Sequence, residues 1–188
     1  EKRGLEALQG HPPLAPTFLG LARTPQGDML VISEFIPGPS LWETLNAGEC
    51  EAAPALAPCG PALARLHRVG VAHGDLHPDN LILADSGPIL IDFQRSTKVR
   101  RRTRTDDLAR LDFSLALIGV TEEERHRLID QALPEECEAA RERPRILSRS
   151  RQLAAQHRRI RMRHSLRPSA ERAPLHWETS RGLRRMDF

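Results

Sequence analysis

One short segment, residues 73–80, constrains this chain more than any other part of its sequence. It reads His-Gly-Asp-Leu-His-Pro-Asp-Asn, and Asp92 in an Ile-Asp-Phe triplet follows Asn80 by twelve residues. The carboxylate of Asp75 stands five residues before the amide of Asn80, and Asp92 ends an apolar run. Mg2+ prefers oxygen ligands and takes only one or two carboxylates where phosphates complete its shell. Phosphoryl transfer needs such a metal site and a further carboxylate to orient the attacking hydroxyl.

The residues between Asn80 and Asp92 predict a β-hairpin. Apolar runs at 81–83 and 89–91 flank the turn-forming sequence Ala-Asp-Ser-Gly-Pro at 84–88. Asn80 would enter one strand and Asp92 would leave the other, so both oxygen ligands could meet at one end of the hairpin. The alternative is a loop in which Asp and Asn serve only as turn formers. The agreement between hairpin and spacing favours the metal-site interpretation.

The pattern His-x-Asp-x-x-x-x-Asn, followed by an apolar strand and Asp-Phe, resembles the catalytic and metal-binding loops of protein-kinase-like enzymes. The Gly after the His makes the sequence most similar to one branch of that superfamily. This branch contains the aminoglycoside and choline phosphotransferases and the bacterial lipopolysaccharide-core sugar kinases. The resemblance implies that Asp75 is the catalytic base and that His73 supports the loop. It also implies that Asn80 and Asp92 hold Mg2+ and that ATP is the phosphoryl donor.

The order of predicted elements over residues 1–133 resembles the kinase fold from its regulatory helix onward. We predict helices and strands in this order: a helix at 1–8, strands at 17–22 and 29–35, a capped helix at 41–47, a helix at 54–69, the hairpin, and helices at 106–118 and 121–133. The expected fold class is α+β, a protein-kinase-like fold with a mostly helical C-lobe at 38–137 and a remnant of the N-lobe sheet at 1–37. Residues 138–188 would form a basic, partly disordered tail with a helix at about 147–164.

Residues 31–38 resemble the last N-lobe strand and the hinge of a kinase. The resemblance implies that backbone groups near Glu34 and Ile36 bond the adenine edge and that Ile82 forms the apolar floor beneath it. Taken alone, this segment is simply a strand that ends in a Pro-Gly turn.

Two parts of the family pattern are missing from this sequence. It contains no Gly-x-Gly-x-x-Gly loop, and Lys2 lies in a predicted helix rather than on a strand. Because these parts position and neutralise the phosphates, we expect weak ATP binding and low turnover. Two explanations stay open: a fragment of a longer kinase, which the absence of an initial Met favours, and a natural short form without activity.

The segment after Asp92 indicates which class of molecule would accept the phosphoryl group. Only 13 residues separate Asp92 from Asp106, and no Ala-Pro-Glu follows, whereas peptide-directed kinases carry that triplet. A small-molecule or sugar acceptor is therefore favoured; a Ser/Thr protein kinase and a kinase-fold binding protein without turnover are the alternatives. The cations at 98–104 suit an anionic acceptor or form a solvated loop without a ligand. The resemblance implies that Asp106 or Asp107 anchors the catalytic loop through backbone N–H groups.

The charge is unevenly distributed along the chain. Residues 138–188 contain 14 Arg against five acidic residues, whereas residues 1–137 contain 14 basic and 20 acidic residues. Such a tail can bind an anionic membrane surface or nucleic acid, or can be a solvated helix followed by disorder at about 168–174. We predict no specific nucleic acid partner. The three cysteines show no metal spacing and no apolar run could span a membrane, so we expect a cytoplasmic protein, with peripheral attachment to the inner membrane as an option.

Overall fold

The computed structural model describes residues 2–9, 14–47, 51–133, 136–165, 176–179 and 182–185. The helices of these ranges are α1 (Lys2–Leu8), α2 (Leu41–Asn46), α3 (Ala52–Leu56), α4 (Cys59–Arg68), α5 (Arg101–Leu117), α6 (Glu122–Ala132) and α7 (Glu136–Ser165). The strands form antiparallel pairs, β1 (Phe18–Arg23) with β2 (Met29–Ser33), β3 (Val71–Ala72) with β6 (Thr97–Lys98), β4 (Leu81–Ala84) with β5 (Gly87–Leu90), and β7 (His176–Thr179) with β8 (Gly182–Arg185). The predicted mixture of helices and small sheets is confirmed.

Local sequence signals place several of these elements. Ser40 caps α2, since its Oγ accepts the Glu43 N–H at 3.1 Å and the Glu43 carboxylate accepts the Ser40 N–H at 2.8 Å. Thr121 and Glu124 cap α6 in the same reciprocal way. The predicted hairpin pairs Leu81 with Leu90 and Ala84 with Gly87.

The single helix predicted at 54–69 is wrong, because the chain forms two helices there. Helix α3 ends at Leu56 and α4 begins at Cys59, with Pro58 between them. Proline has no N–H to donate along a helix, and its ring clashes with the carbonyl four residues earlier, so the helix is interrupted. The predicted inward face is nonetheless correct, as its three leucines are 3% exposed or less: Leu56, Leu63 and Leu66.

Helix α5 begins five residues earlier than predicted, at Arg101 instead of Asp106. The Arg100 N–H donates to Thr103 Oγ1 at 2.8 Å at this helix start, and Lys98 ends a short strand paired with Val71. The cationic run at 98–104 is therefore strand and helix rather than a loop. Its first helical turns lack the apolar residues from which helical periodicity is recognised, so the sequence pattern could not locate this start.

The core lies between α4, α5, α6 and the β4–β5 hairpin. Its fully buried large side chains include those of Phe93, Leu41, Leu63, Leu66, Leu76, Leu81, Leu90, Leu108, Leu111 and Leu115. Apolar burial on this scale is the dominant favourable term in folding. The core therefore gives the adjoining loop at residues 73–80 a rigid base.

Helix α7 contains the predicted tail helix and packs along α5. Ile146 is 1% exposed in the core. Arg101 and Glu142 approach to 2.8 Å, Arg149 and Asp106 to 2.7 Å, and Ser150 donates to Asp112 at 2.5 Å. The domain boundary at residue 138 stays a prediction, and the disorder expected at 168–174 lies outside the described residues.

Strands β1 and β2 carry apolar side chains that the described residues leave uncovered. Five of these side chains are between 44% and 63% exposed: Leu19, Leu21, Met29, Leu30 and Ile32. Among the described residues no third strand pairs with this ribbon. The N-lobe sheet is thus reduced to a two-stranded remnant, as expected.

Two leucines of α5 test this account of the core. Leu111 is fully buried, whereas Leu117 is 55% exposed. Leu111→Ala should lower the free energy of unfolding by about 2–5 kcal/mol, because it removes apolar contacts and leaves a cavity. Leu117→Ala should change it by less than about 0.5 kcal/mol. Urea unfolding of both variants measures the difference, and equal losses would contradict the placement of the core.

Candidate active site

The loop at residues 73–80, the candidate catalytic loop, is held by the carboxylate of Asp107, which lies on α5 and is buried. Asp107 is 1% exposed. Its Oδ2 accepts the His73 N–H at 2.8 Å and its Oδ1 accepts the Gly74 N–H at 2.8 Å. His67 Nε2 lies 3.2 Å from Oδ2. Of the two candidates, Asp107 therefore receives the loop's N–H groups, while Asp106 binds Arg149.

His73 joins the catalytic loop to the strand that leads into Asp92. Its ring is buried, its Nε2 lies 2.8 Å from the Ile91 carbonyl oxygen, and its Nδ1 lies 3.4 Å from the Asp75 N–H nitrogen. A carbonyl can only accept and an amide N–H can only donate, so both contacts are satisfied by the neutral ring with its proton on Nε2. Burial lowers the pKa of His73, outweighing the Ile91 hydrogen bond and the nearby Asp107 and Asp92 charges.

Gly74 is required by the close approach of another part of the backbone. Its φ is +83°, and a Cβ built on it would lie 2.1 Å from the carbonyl oxygen of Arg95. No larger side chain fits this position without displacing Arg95, and L-residues are strained at this φ. The Gly of the His-Gly-Asp pattern thus lets the segment after Asp92 lie directly on the catalytic loop.

Asn80 and Asp92 stand at the same end of the β4–β5 hairpin, as the sequence predicts. The Ile91 N–H donates to the Asn80 carbonyl at 3.0 Å, which continues the pairing of the strands beyond β4 and β5. The Asn80 side chain is buried, and its Nδ2 donates to the Asp75 carbonyl oxygen at 3.0 Å and lies 3.1 Å from His77 Nε2. These contacts use the amide nitrogen and leave the amide oxygen for a cation.

Asp92 has an unusual backbone. Its φ and ψ are +63° and +65°, and among the described residues it alone combines a side chain with a positive φ. This conformation costs of the order of 1 kcal/mol or more outside glycine. Within the described part of the chain the Asp92 carboxylate forms no hydrogen bond or ion pair. Asp92 therefore combines a strained backbone with a carboxylate that is available to bind a cation.

The oxygen atoms of Asn80 and Asp92 suit Mg2+ as a partner. The described residues contain no cluster of three or more His, Cys, Asp or Glu able to hold a metal by themselves. An amide and a carboxylate oxygen are what Mg2+ takes from a protein when phosphates and water supply its remaining ligands. The donor set thus fits a nucleotide-bound magnesium ion.

Asp75, the predicted base, points both carboxylate oxygens toward arginines. Its Oδ1 lies 3.5 Å from Arg110 Nη1, and its Oδ2 lies 3.8 Å from Arg95 Nε. The Asp75 side chain is 34% exposed, so the carboxylate remains accessible. Sequence reasoning missed Arg110; its position three residues after Asp107 on one helix was the available signal, because such residues share a face.

The predicted adenine-binding residues do not all meet at one cavity. Glu34 and Ile36 line a cavity of about 670 Å³, together with Leu5, Leu8, Leu83, Ile89 and others. Ile82 is 1% exposed and does not line it. The Glu34 N–H already donates to the Thr17 carbonyl at 2.9 Å. Hydrogen bonds from Thr17 also lower the pKa of the Glu34 carboxyl.

Gly74 can be tested against a second glycine with a similar backbone. Gly70 has a φ of +90°, but nothing lies within 4 Å of a Cβ built on it. Gly70→Ala should cost about 1–2 kcal/mol of unfolding free energy from the positive φ alone. Gly74→Ala should cost more, because Arg95 must also move. Chemical denaturation compares the variants, and an equal or smaller loss for Gly74→Ala would refute the close approach.

The pH dependence of stability tests the state of His73. Because its pKa in the folded protein lies below 6.5, the unfolded chain binds more protons at acidic pH. The stability contributed by the neutral ring is fully present above pH 6.5 and is lost as the pH falls through the folded-state pKa. NMR titration should show His73 changing charge below pH 6.5, with the proton on Nε2 above that pH. A titration midpoint above 6.5 would disprove the assignment.

Comparisons with known proteins relate this chain to kinases. The model of the lipopolysaccharide kinase (Kdo/WaaP) family matches residues 40–131, just under half of the chain, and this segment contains all of the catalytic and metal candidates. The serine/threonine-protein kinase AfsK of Streptomyces coelicolor is 38% identical over 65 residues. That match covers 31% of this chain but only 8% of AfsK.

A solved structure shows the same architecture. The structure of WaaP in complex with acyl carrier protein matches with a TM-score of 0.66, over 82% of this chain and 74% of that chain. At 19% sequence identity this likeness shows the fold alone. The resemblance to protein-kinase-like enzymes and lipopolysaccharide-core kinases is confirmed. The chain therefore has a protein-kinase-like fold, and its residues 40–131 match the model of the lipopolysaccharide kinase (Kdo/WaaP) family, which supports a kinase-type phosphotransferase.

Proposed function

We propose that this chain carries the catalytic half of an ATP- and Mg2+-dependent phosphotransferase that acts on a hydroxyl of a small-molecule or lipopolysaccharide-type sugar acceptor. The observation that carries the proposal is the arrangement of the loop. Asp107 fixes its backbone with two hydrogen bonds of 2.8 Å, and Asn80 binds the Asp75 carbonyl at 3.0 Å. The base and one metal ligand are thereby held together before any ligand binds.

In the proposed reaction Asp75 orients the acceptor hydroxyl and takes its proton. The acceptor oxygen forms a bond to the γ-phosphorus of ATP, the bond from that phosphorus to the β–γ bridging oxygen breaks, and ADP leaves with the electron pair. Bound Mg2+ would neutralise charge on the phosphates. Asn80 and Asp92 would hold it there. Preorganised groups of this kind contribute most where they need no rearrangement during the reaction.

The acceptor class follows from the segment beyond Asp92. Only the turn Phe93–Arg95, the two-residue β6 and a short link separate Asp92 from α5. This leaves little chain for the longer platform with which peptide-directed kinases bind their substrates. A compact acceptor such as a sugar is therefore favoured. The local similarity to AfsK supports a Ser/Thr protein kinase as the second candidate, and phosphate on a protein acceptor rather than a sugar would select it.

A kinase-fold binding protein without turnover is the remaining alternative. It is motivated by the position of Lys2, whose Nζ lies 3.5 Å from Glu6 on α1 and 5.9 Å from the centre of the Phe18 ring. Lys2 therefore does not act as a strand lysine that pairs with phosphates. The expectation of weak ATP binding rests on the missing strand lysine together with the missing Gly-x-Gly-x-x-Gly loop.

The proposed function includes attachment of the protein to a membrane surface. Helix α7 exposes several arginines, among them Arg151, Arg158 and Arg159, that would favour an anionic membrane surface. Among the described helices, none is long and apolar enough to cross a bilayer. We therefore propose peripheral attachment at the cytoplasmic face of the inner membrane, where a lipid-linked sugar would be accessible.

Nucleotide binding and transfer separate the roles of the three site residues. The melting temperature should rise with ATP only when Mg2+ is present, because binding to the folded state stabilises it. Asn80→Ala and Asp92→Asn should reduce this Mg2+-dependent rise. Asp75→Ala should retain it while lowering phosphoryl transfer by about 10²–10⁴-fold.

Asp28→Ala is the control for these variants. Asp28 is exposed in the β1–β2 turn and does not line the cavity at Glu34 and Ile36, so its replacement should change neither binding nor transfer. Full transfer activity in Asp75→Ala would show that another group is the base. If the full-length gene product shows no nucleotide-dependent shift, the binding-protein alternative is favoured.

A further inference from the structure

Arg110 and Arg95, the two arginines beside Asp75, make only long contacts with its carboxylate. Their distances to the carboxylate are 3.5 Å for Arg110 and 3.8 Å for Arg95, longer than the 2.7–2.9 Å of a charge-assisted hydrogen bond. Elsewhere in this chain arginines make such bonds, as Arg149 does with Asp106 at 2.7 Å. The guanidinium groups at Asp75 thus keep donors available for another anion.

The backbones that carry these arginines are fixed. The carbonyl of Arg95 lies against Gly74, and the Ser96 N–H closes the turn on Phe93 at 3.0 Å. Arg110 follows Leu108 and Ala109, which are fully buried in α5. The side chains remain accessible, with 68% of Arg95 and 39% of Arg110 exposed. A rigid base with accessible guanidinium groups suits recognition of a ligand beside the catalytic carboxylate.

From this geometry we infer that Arg110, assisted by Arg95, binds an anionic group of the acceptor next to the hydroxyl that reacts. The inference rests on the proposed function and names the recognition chemistry of that site. A guanidinium pairs with a phosphate monoester or a carboxylate through two parallel hydrogen bonds. Binding of that group draws the arginines away from Asp75, whose carboxylate then faces the acceptor hydroxyl. Arg110 is on this basis a specificity-determining residue.

A second group of arginines offers a competing position for an anion. A cleft of about 730 Å³ between α5 and α7 is lined by Arg101, Arg102, Arg145, Arg149 and neighbouring residues. Glu142 already pairs with Arg101 at 2.8 Å and with Arg145 at 2.6 Å, and Asp106 pairs with Arg149. These short ion pairs engage three of the four arginines, Arg101, Arg145 and Arg149, and leave Arg102 as the one arginine of this cleft without such a pair among the described residues. The looser arginines at Asp75 are therefore the better site.

Arg102 provides a matched control on the same helix. It lies eight residues before Arg110, is exposed, and forms no ion pair or hydrogen bond within the described part of the chain. Arg102→Gln and Arg110→Gln therefore remove the same charge from one helix. They differ in their surroundings, since Arg110 approaches the predicted base, whereas Arg102 lines the cleft between α5 and α7.

The test measures direct binding of three probes by isothermal titration calorimetry in the presence of Mg2+ and a non-hydrolysable ATP analogue. The probes are glucose, glucose 6-phosphate and glucuronate, which separate neutral, phosphate and carboxylate chemistry. The wild-type chain should bind one or both anionic probes and not glucose. Arg110→Gln should weaken that binding by about tenfold or more, the effect of losing a charged hydrogen bond. Arg102→Gln should leave it unchanged, and Arg110→Lys should restore only part of it.

Three results would overturn the inference: no preference for the anionic probes, unchanged binding in Arg110→Gln, or equal weakening in Arg102→Gln. Equal weakening would indicate general electrostatic attraction instead of a site. Circular dichroism confirms that each variant is folded. Because binding is measured without transfer, failure of the phosphotransferase proposal remains distinguishable. That proposal fails if the Mg2+–ATP shift is absent, whereas the anion site fails if Arg110→Gln binds like the wild type.

Discussion

The rest of the site depends on the hydrogen bonds that the buried carboxylate of Asp107 accepts from the loop. Its two oxygens accept the N–H groups of His73 and Gly74, and it lies beside His67 in a nearly water-free interior. A buried carboxylate without such partners would be strongly destabilising. The loop and the helix therefore require each other: without α5 the loop has no anchor, and without the loop α5 buries an uncompensated charge.

Helix α5 also connects the site to the neighbouring helices α6 and α7. Asp106 binds Arg149 of α7, Arg110 approaches Asp75, and Asp112 binds both Arg125 of α6 and Ser150 of α7. Successive positions on a helix point in different directions, so one element can contact the loop and both neighbouring helices. The C-terminal helix is thereby connected to the catalytic loop through a single rigid element, although the family match ends at residue 131.

Prediction from the sequence succeeded for elements that a local pattern marks, and it failed at the start of α5 and for contacts between distant residues. The β4–β5 hairpin follows from two apolar runs around a turn, and the caps at Ser40 and Thr121 follow from four-residue patterns. The early start of α5 was missed because its first turns are arginines without apolar periodicity. The pairing of Arg110 with Asp75 joins residues 35 positions apart, and its signal in the sequence was only indirect, the spacing of three residues from Asp107 on one helix.

By itself the sequence determined the chemistry of this protein: a carboxylate, an amide and a second carboxylate spaced along a loop and a hairpin. Residue identity and local spacing suffice for that, because hairpins and caps form from neighbouring residues. Only the tertiary structure decided which aspartate anchors the loop and why Gly74 is required. It also decided which arginines face the base. Each of these depends on the close approach of segments distant in sequence, and such approaches are set by how the helices pack around the common core.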